Sequence, residues 1–92
     1  MIKLFKITGH SLYPLFKDGQ KVCAIRVFKN SKLKINDTVV FEKAPYGQMI
    51  KQIRFIENQQ YYVQGTNALS MDSRNFGTID HNEILYKVLF KF

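Results

Sequence analysis

The chain has 92 residues, 46% of them hydrophobic, with eight Phe and five Tyr. That is enough for a single small core but not for two, and the composition is that of a folded protein with no low-complexity tract. Formal charge is +7, from fourteen basic and seven acidic residues; the basic side chains run from Lys3 to Lys91 with a modest cluster at Lys29 to Lys34, a spread that favours solvated faces over a nucleic-acid patch.

The lone Cys23 excludes an internal disulfide and sits in an apolar run, where it reads as a small buried hydrophobe. The opening Met1-Ile2-Lys3-Leu4-Phe5-Lys6-Ile7 is too short and too charged for a signal peptide, and no apolar run approaches the roughly 20 residues that span a bilayer. The expectation is a soluble, cytoplasmic protein, with peripheral membrane association left open and no anchor in the chain.

Residues 2–8 alternate loosely and stop at Gly9, which predicts a strand running into a sharp turn. The segment from Ser11 to Asp18 contains Pro14 and ends at the turn pair Asp18-Gly19, so it reads as a compact connection. Residues 21–28 are rich in β-branched and apolar types and predict a strand. A polar loop passes through Asn30-Ser31-Lys32, Asn36-Asp37 makes a turn, and Thr38 to Glu42 is a further strand. Ala44-Pro45-Tyr46-Gly47 is a loop.

Residues 48–56 form the most informative strand. Taken alternately, Met49, Lys51, Ile53 and Phe55 share one face, and Gln48, Ile50, Gln52 and Arg54 share the other. The first face is apolar except for Lys51, whose ammonium is costly to bury unless it pairs or loses its proton. Glu57 to Gln60 is a turn and Tyr61 to Gln64 a short strand, so residues 48–64 predict a hairpin. The sixteen residues from Gly65 to Asp80 are long for an idle connection. Residues 84–92 alternate as a half-buried terminal strand. The fold expected is mainly β, a single small domain (residues 1–92) of twisted antiparallel sheets, with no repeat and no linker.

A serine hydroxyl needs a general base within hydrogen-bond reach. His10 adjoins Ser11, but neighbouring side chains on an extended chain point to opposite faces. A triad through His81 has nothing specific to support it. Lysine can serve if desolvation leaves its amine neutral, and a Ser-Lys pair is a known variant of the triad. Ser11 on its turn and Lys51 on its apolar face fit those roles; Lys51 equally fits a lysine snorkelling at a strand edge. Two histidines and one cysteine without close spacing make no zinc site, Asp72 and Asp80 read as turn caps, and there is no phosphate-cradling glycine loop. No metal and no cofactor is expected.

Gly9-His10-Ser11-Leu12-Tyr13-Pro14 resembles the Gly-x-Ser-Met-x-Pro nucleophile box of type I signal peptidases and their Ser-Lys relatives. Pro14 to Val22 is similar to the segment that follows it, and Lys34 to Phe41 to a Gly-Asp-x-Val-Val box with Asn36 in place of glycine. Met49-Ile50-Lys51-Gln52-Ile53 resembles the box that carries the catalytic lysine. Tyr62 to Asn67, followed by Ser70-Met71-Asp72-Ser73-Arg74-Asn75-Phe76-Gly77, is similar to the closing box. The matches run in order from Gly9 to about Val88. In size the chain looks like the small soluble relatives such as the proteases that mature nickel-type superoxide dismutase; LexA-type repressors share the dyad, but their DNA-binding domain and closing sequence are missing here.

The resemblance implies a serine endopeptidase in which Ser11 acylates and Lys51 is the neutral base. The Ser11 N–H would help form the oxyanion hole, and Gly9 stands where some relatives carry a serine donor. Ser70 would hydrogen-bond the lysine, and Asp72 with Arg74 would form an ion pair beneath the site. Leu12 replaces the usual methionine, Gln52 an arginine and Thr66 an aspartate, and the spacer from Asn67 to Ser70 is one residue shorter than usual. The partner implied is a protein or peptide bound as an extended strand, with no nucleic acid. A non-catalytic peptide-binding module on the same fold and a basic nucleic-acid-binding domain are the alternatives.

Overall fold

The computed structural model describes residues 1–9, 12–66 and 71–92. The chain is mainly β. Its strands are β1 (Ile2–Lys6), β2 (Lys21–Arg26), β3 (Thr38–Lys43), β4 (Gly47–Glu57), β5 (Gln60–Gln64), β6 (Ile79–Asp80) and β7 (Ile84–Lys91). They form one antiparallel sheet in the order β1-β2-β7-β3-β4-β5-β6. A four-residue helix, α1 (Ser73–Phe76), and a short 3₁₀ turn (His81–Glu83) interrupt the long connection between β5 and β7.

The predicted hairpin is present, and its turn has a plain cause. Asn58 and Gln59 both take positive φ, 51° and 64°, between the paired residues Glu57 and Gln60. Two consecutive left-handed residues give a turn whose twist matches that of the flanking strands, and asparagine tolerates that conformation better than most residues. Asn36, at φ 78°, turns the chain before β3 in the same way.

The face assigned to β4 holds for three of its four residues. Met49, Lys51 and Ile53 lie on the side of Val39 and Phe41, their cross-strand partners or near neighbours on β3. Phe55 does not. The ladder with β5 shifts register between Ile53 and Phe55, so Ile53 opposes buried Val63 while Phe55 opposes Tyr62 and is 65% exposed. A bulge adds one residue to one strand and so turns every later side chain to the other face. Phe55 instead packs its ring against Tyr62, centroids 5.7 Å apart.

Apolar clusters form on both faces of the sheet. On one, Val39, Phe41, Ile53, Val63, Ile79 and Ile84 pack with Val27 and Tyr61. On the other, Ile7, Leu12, Phe16 and Val22 form one group and Ala24, Val40 and Tyr86 another, with Phe5, Ile50 and Val88 packed against both. Phe5 on β1 and Ile50 on β4 share these partners although five places in the strand order include them both. The sheet is therefore curled, which brings the start of β4 toward the end of β1.

The terminal strand is only partly half-buried as expected. Ile84 and Tyr86 are in the core, but Phe90 and Phe92 are exposed. Cys23 is buried, as its apolar run predicts. Among the described residues, no helix is long and apolar enough to cross a membrane.

Candidate active site

Lys51 is 5% exposed, the only lysine or arginine among the buried described residues. It stands opposite Val39 and two residues from Ile53, both fully buried. Burial in this apolar setting pushes its ammonium below the ordinary lysine value; the nearby Asp72 carboxylate works against that shift and the Arg74 guanidinium adds to it. Among the described residues no hydrogen-bond acceptor meets its Nζ. A lysine so placed is disposed to give up its proton, as a general base must.

The first half of β4 borders a groove of about 370 Å³ lined by Phe5, Lys6, Ile7 and Thr8 on one side and Gln48, Met49, Ile50 and Lys51 on the other, with Val40 between. Both walls are strand edges. β1 pairs with β2 alone, and β4 is paired to β5 only from Gln52 onward. Ile53 exchanges main-chain hydrogen bonds with Asn36 and Asp37 ahead of β3. By the two-residue alternation of an antiparallel ladder, the main-chain groups of Gln48 and Ile50 then turn away from β3.

From Thr8 the chain enters the nucleophile-like box. Gly9 adopts φ +89°, a left-handed conformation that side chains disfavour, and its N–H donates to Asp18 Oδ1 at 2.8 Å. That N–H is thus occupied. Ile7 and Gly19 close the loop, with Ile7 N–H donating to the Gln20 carbonyl and Gly19 N–H to the Ile7 carbonyl, each at 2.8 Å. Leu12, 1% exposed, anchors the other end of the box in the cluster against which Ile50 packs. Ser11 itself, with His10, lies outside the described residues. Ser70 lies outside them too.

The Asp72–Arg74 pair is formed. Arg74 Nε donates to Asp72 Oδ1 at 2.9 Å and Nη2 to Oδ2 at 2.8 Å, a two-pronged contact. Asp72 is fully buried and also caps α1, accepting from the Arg74 main-chain N–H at 3.0 Å, while Asn75 Oδ1 accepts from the Asp72 N–H at 3.1 Å. Its second oxygen accepts from Gly65 N–H at 3.3 Å. Burial alone would raise the Asp72 carboxyl, but the hydrogen bonds from Arg74 and Gly65 outweigh it and hold the group below its usual value. Asp72 and Arg74 therefore bear on Lys51 as opposed charges held side by side.

Sequence reasoning passed over several positioning residues. Ser73 Oγ accepts from Val63 N–H at 2.8 Å and fastens α1 to β5. Thr66, noted only as a replacement for aspartate, donates through Oγ1 to the Tyr13 carbonyl at 2.7 Å and so ties the nucleophile-like box to the chain after β5. The Asp72-x-x-Asn75 spacing was a visible sign of the short helix. The groove walls had no local sign, because they come from strands far apart in sequence.

His81 belongs elsewhere. Its Nε2 lies 2.9 Å from the Phe28 carbonyl, which can only accept, so Nε2 carries a proton; in the neutral ring Nδ1 then accepts from Tyr61 OH at 3.0 Å. It lines a separate cavity of about 770 Å³ with Arg26, Lys29 and Asp80. Among the described residues no three His, Cys, Asp or Glu side chains gather as a metal site. Compared with known proteins, the chain matches no family model and no curated protein.

Proposed function

We propose that the protein is a serine endopeptidase in which Ser11 is the nucleophile and Lys51 its base. The observation that carries this reading is Lys51: a lysine buried on an apolar face, with its pKa lowered, bordering a groove whose opposite wall ends at Thr8, three residues before Ser11 in the sequence. The ordered resemblance of the boxes to signal-peptidase-type enzymes supports the same assignment.

A substrate segment would enter the groove as an added strand, using main-chain groups of β1 and of Gln48 and Ile50. Lys51 Nζ takes the Ser11 hydroxyl proton as Oγ attacks the scissile carbonyl. The oxyanion that forms is met by main-chain donors, the Ser11 N–H among them, since Gly9 has no side-chain donor and its own N–H is held by Asp18. The Lys51 ammonium returns the proton to the leaving amine, giving an acyl-enzyme. A water deprotonated by the same amine then attacks the ester, which releases the acid and restores Ser11.

The test is cleavage of a peptide library by the intact chain, by Ser11→Ala and by Lys51→Met. Loss of turnover to background in both variants is expected, with each still folded by circular dichroism. Undiminished turnover in either would remove the dyad. A wild-type protein that binds extended peptides without cutting them would be a binding module instead.

A further inference from the structure

We propose that Lys3 and Arg26 form a cationic subsite at the far end of the groove, which selects extended peptides carrying an aspartate or glutamate several residues from the cleaved bond. The inference rests on the reading of the groove as the substrate site.

Strand register brings the two cations together. Lys3 and Phe5 share one face of β1, and Lys3 opposes Ala24, whose methyl group leaves the space above β2 open. Side chains of β1 therefore reach across β2 to β7. The Phe5 and Tyr86 rings meet edge to face, centroids 5.1 Å apart, and Lys3 Nζ lies 5.1 Å from the Phe5 centroid and 5.6 Å from that of Tyr86. Arg26, the cross-strand partner of Tyr86, brings its guanidinium carbon to 5.7 Å from the same ring. Phe5 also lines the groove, and Val40, between the groove walls, packs with Ala24 and Tyr86. The cations and the groove thus share the inner face of the curl.

Charge identifies the ligand. Attraction to the ring holds two like charges around one tyrosine, where each disfavours the other until an anion arrives. Both side chains are exposed. Among the described residues neither has an ion-pair partner, and β1, β2 and β7 carry no Asp or Glu. Arg26 also borders the larger cavity, but the carboxylate there, Asp80, accepts from Gln60. An ammonium and a guanidinium side by side suit a carboxylate, to which both can donate charge-assisted hydrogen bonds. The carboxylate belongs to a peptide because the site continues a groove bordered by the open edge of β1. Lys3 lies five residues before Thr8. An extended substrate rises about 3.3 Å per residue, as β1 does, so its acidic residue falls about five or more residues from the bond that Ser11 attacks.

Ser11→Ala separates binding from chemistry. Its probe is a labelled peptide of alternating Val and Thr with either Asp or Asn at the centre, followed by fluorescence anisotropy. The Asp peptide should bind about fivefold to tenfold more tightly. Adding Lys3→Gln/Arg26→Gln should erase that difference and leave the affinity for the Asn peptide unchanged, with the fold retained by circular dichroism; each single change should remove part of it. Equal affinity for the two peptides, no binding of the Asp peptide, or a preference that survives the double change overturns the subsite. Inorganic phosphate bound more tightly than the Asp peptide would make a free anion the occupant and overturn it as well. In the active chain, cleavage of a peptide library should enrich Asp and Glu about five or more residues from the cut, and Lys3→Gln/Arg26→Gln should abolish that enrichment while neutral peptides are cut as before. Cleavage without an acidic preference would remove the subsite and keep the dyad. An Asp preference in binding, with no cleavage by the wild type, would keep the subsite and remove the dyad.

Discussion

Arg74 holds Asp72 through two hydrogen bonds, 2.9 and 2.8 Å long, beside the apolar face that carries Lys51. Burial lowers the Lys51 pKa most; Asp72 favours the charged lysine and Arg74 opposes it, so their pairing offsets part of the carboxylate's stabilisation of the ammonium. Arg74→Gln removes the opposing charge and leaves the carboxylate. The Lys51 titration, followed by NMR of the labelled side chain, should move to higher pH, and the acidic limb of any peptidase pH profile should move with it. A titration that stays put or falls would mean that Arg74 does not tune the amine.

The Asp72 carboxylate supports the fold in a defined pH range. Asp72→Ala removes a helix cap and one partner of the ion pair, and should cost about 3–5 kcal/mol by urea denaturation at neutral pH. The folded pKa of Asp72 is depressed. The wild-type advantage is therefore complete above the unfolded carboxyl value, about 3.9, and is lost as pH falls through the lower folded value. A wild-type advantage that disappears already between neutrality and that unfolded value would contradict this assignment.

Lys51 should cost stability. Its folded pKa is lowered by burial, so the unfolded chain binds its proton more tightly than the folded chain does. The penalty is complete below the folded pKa and is relieved as pH rises toward the unfolded value, about 10.4. Lys51→Met should stabilise the protein at low and neutral pH by about 1–4 kcal/mol, with the gain shrinking at alkaline pH. Thermal melts across pH measure it. A variant less stable than wild type at neutral pH would show that the amine is well solvated or paired.

Leu12 should act as an anchor. It is 1% exposed within the cluster of Ile7, Phe16 and Val22. Leu12→Ala should cost about 2–5 kcal/mol in urea denaturation, and Leu12→Met less than about 1.5 kcal/mol. Equal losses from both would point to local refolding of the loop rather than to a cavity.

Much of the strand plan was readable along the chain, because alternation and turn residues act over a few neighbours. Alternation marked β1, β4 and β7, β-branched and apolar enrichment marked β2, and Asp18-Gly19 and Asn58-Gln59 punctuated the strands. The same pattern singled out Lys51, since a charge within an apolar alternation is visible without coordinates. What failed was local geometry that composition does not encode. Nothing in Ile53-Arg54-Phe55 announces the bulge that turns Phe55 outward.

The candidate site divides along the same line. Residue types at Gly9-x-Ser11, Lys51 and Asp72-x-Arg74 were legible as chemistry, and the order of the boxes made them legible as a set. Whether Lys51 is buried or snorkels was not, because periodicity reports a face and not what covers it. Tertiary packing decided that: Val39, Ile53 and the surrounding core leave Lys51 as a residue 5% exposed. The groove likewise depends on strand order, since β1 and β4 approach only when the sheet curls over Phe5, Val40 and Ile50. Short-range backbone preferences thus specify the elements, while long-range burial specifies which of their edges are left open and which charge is desolvated.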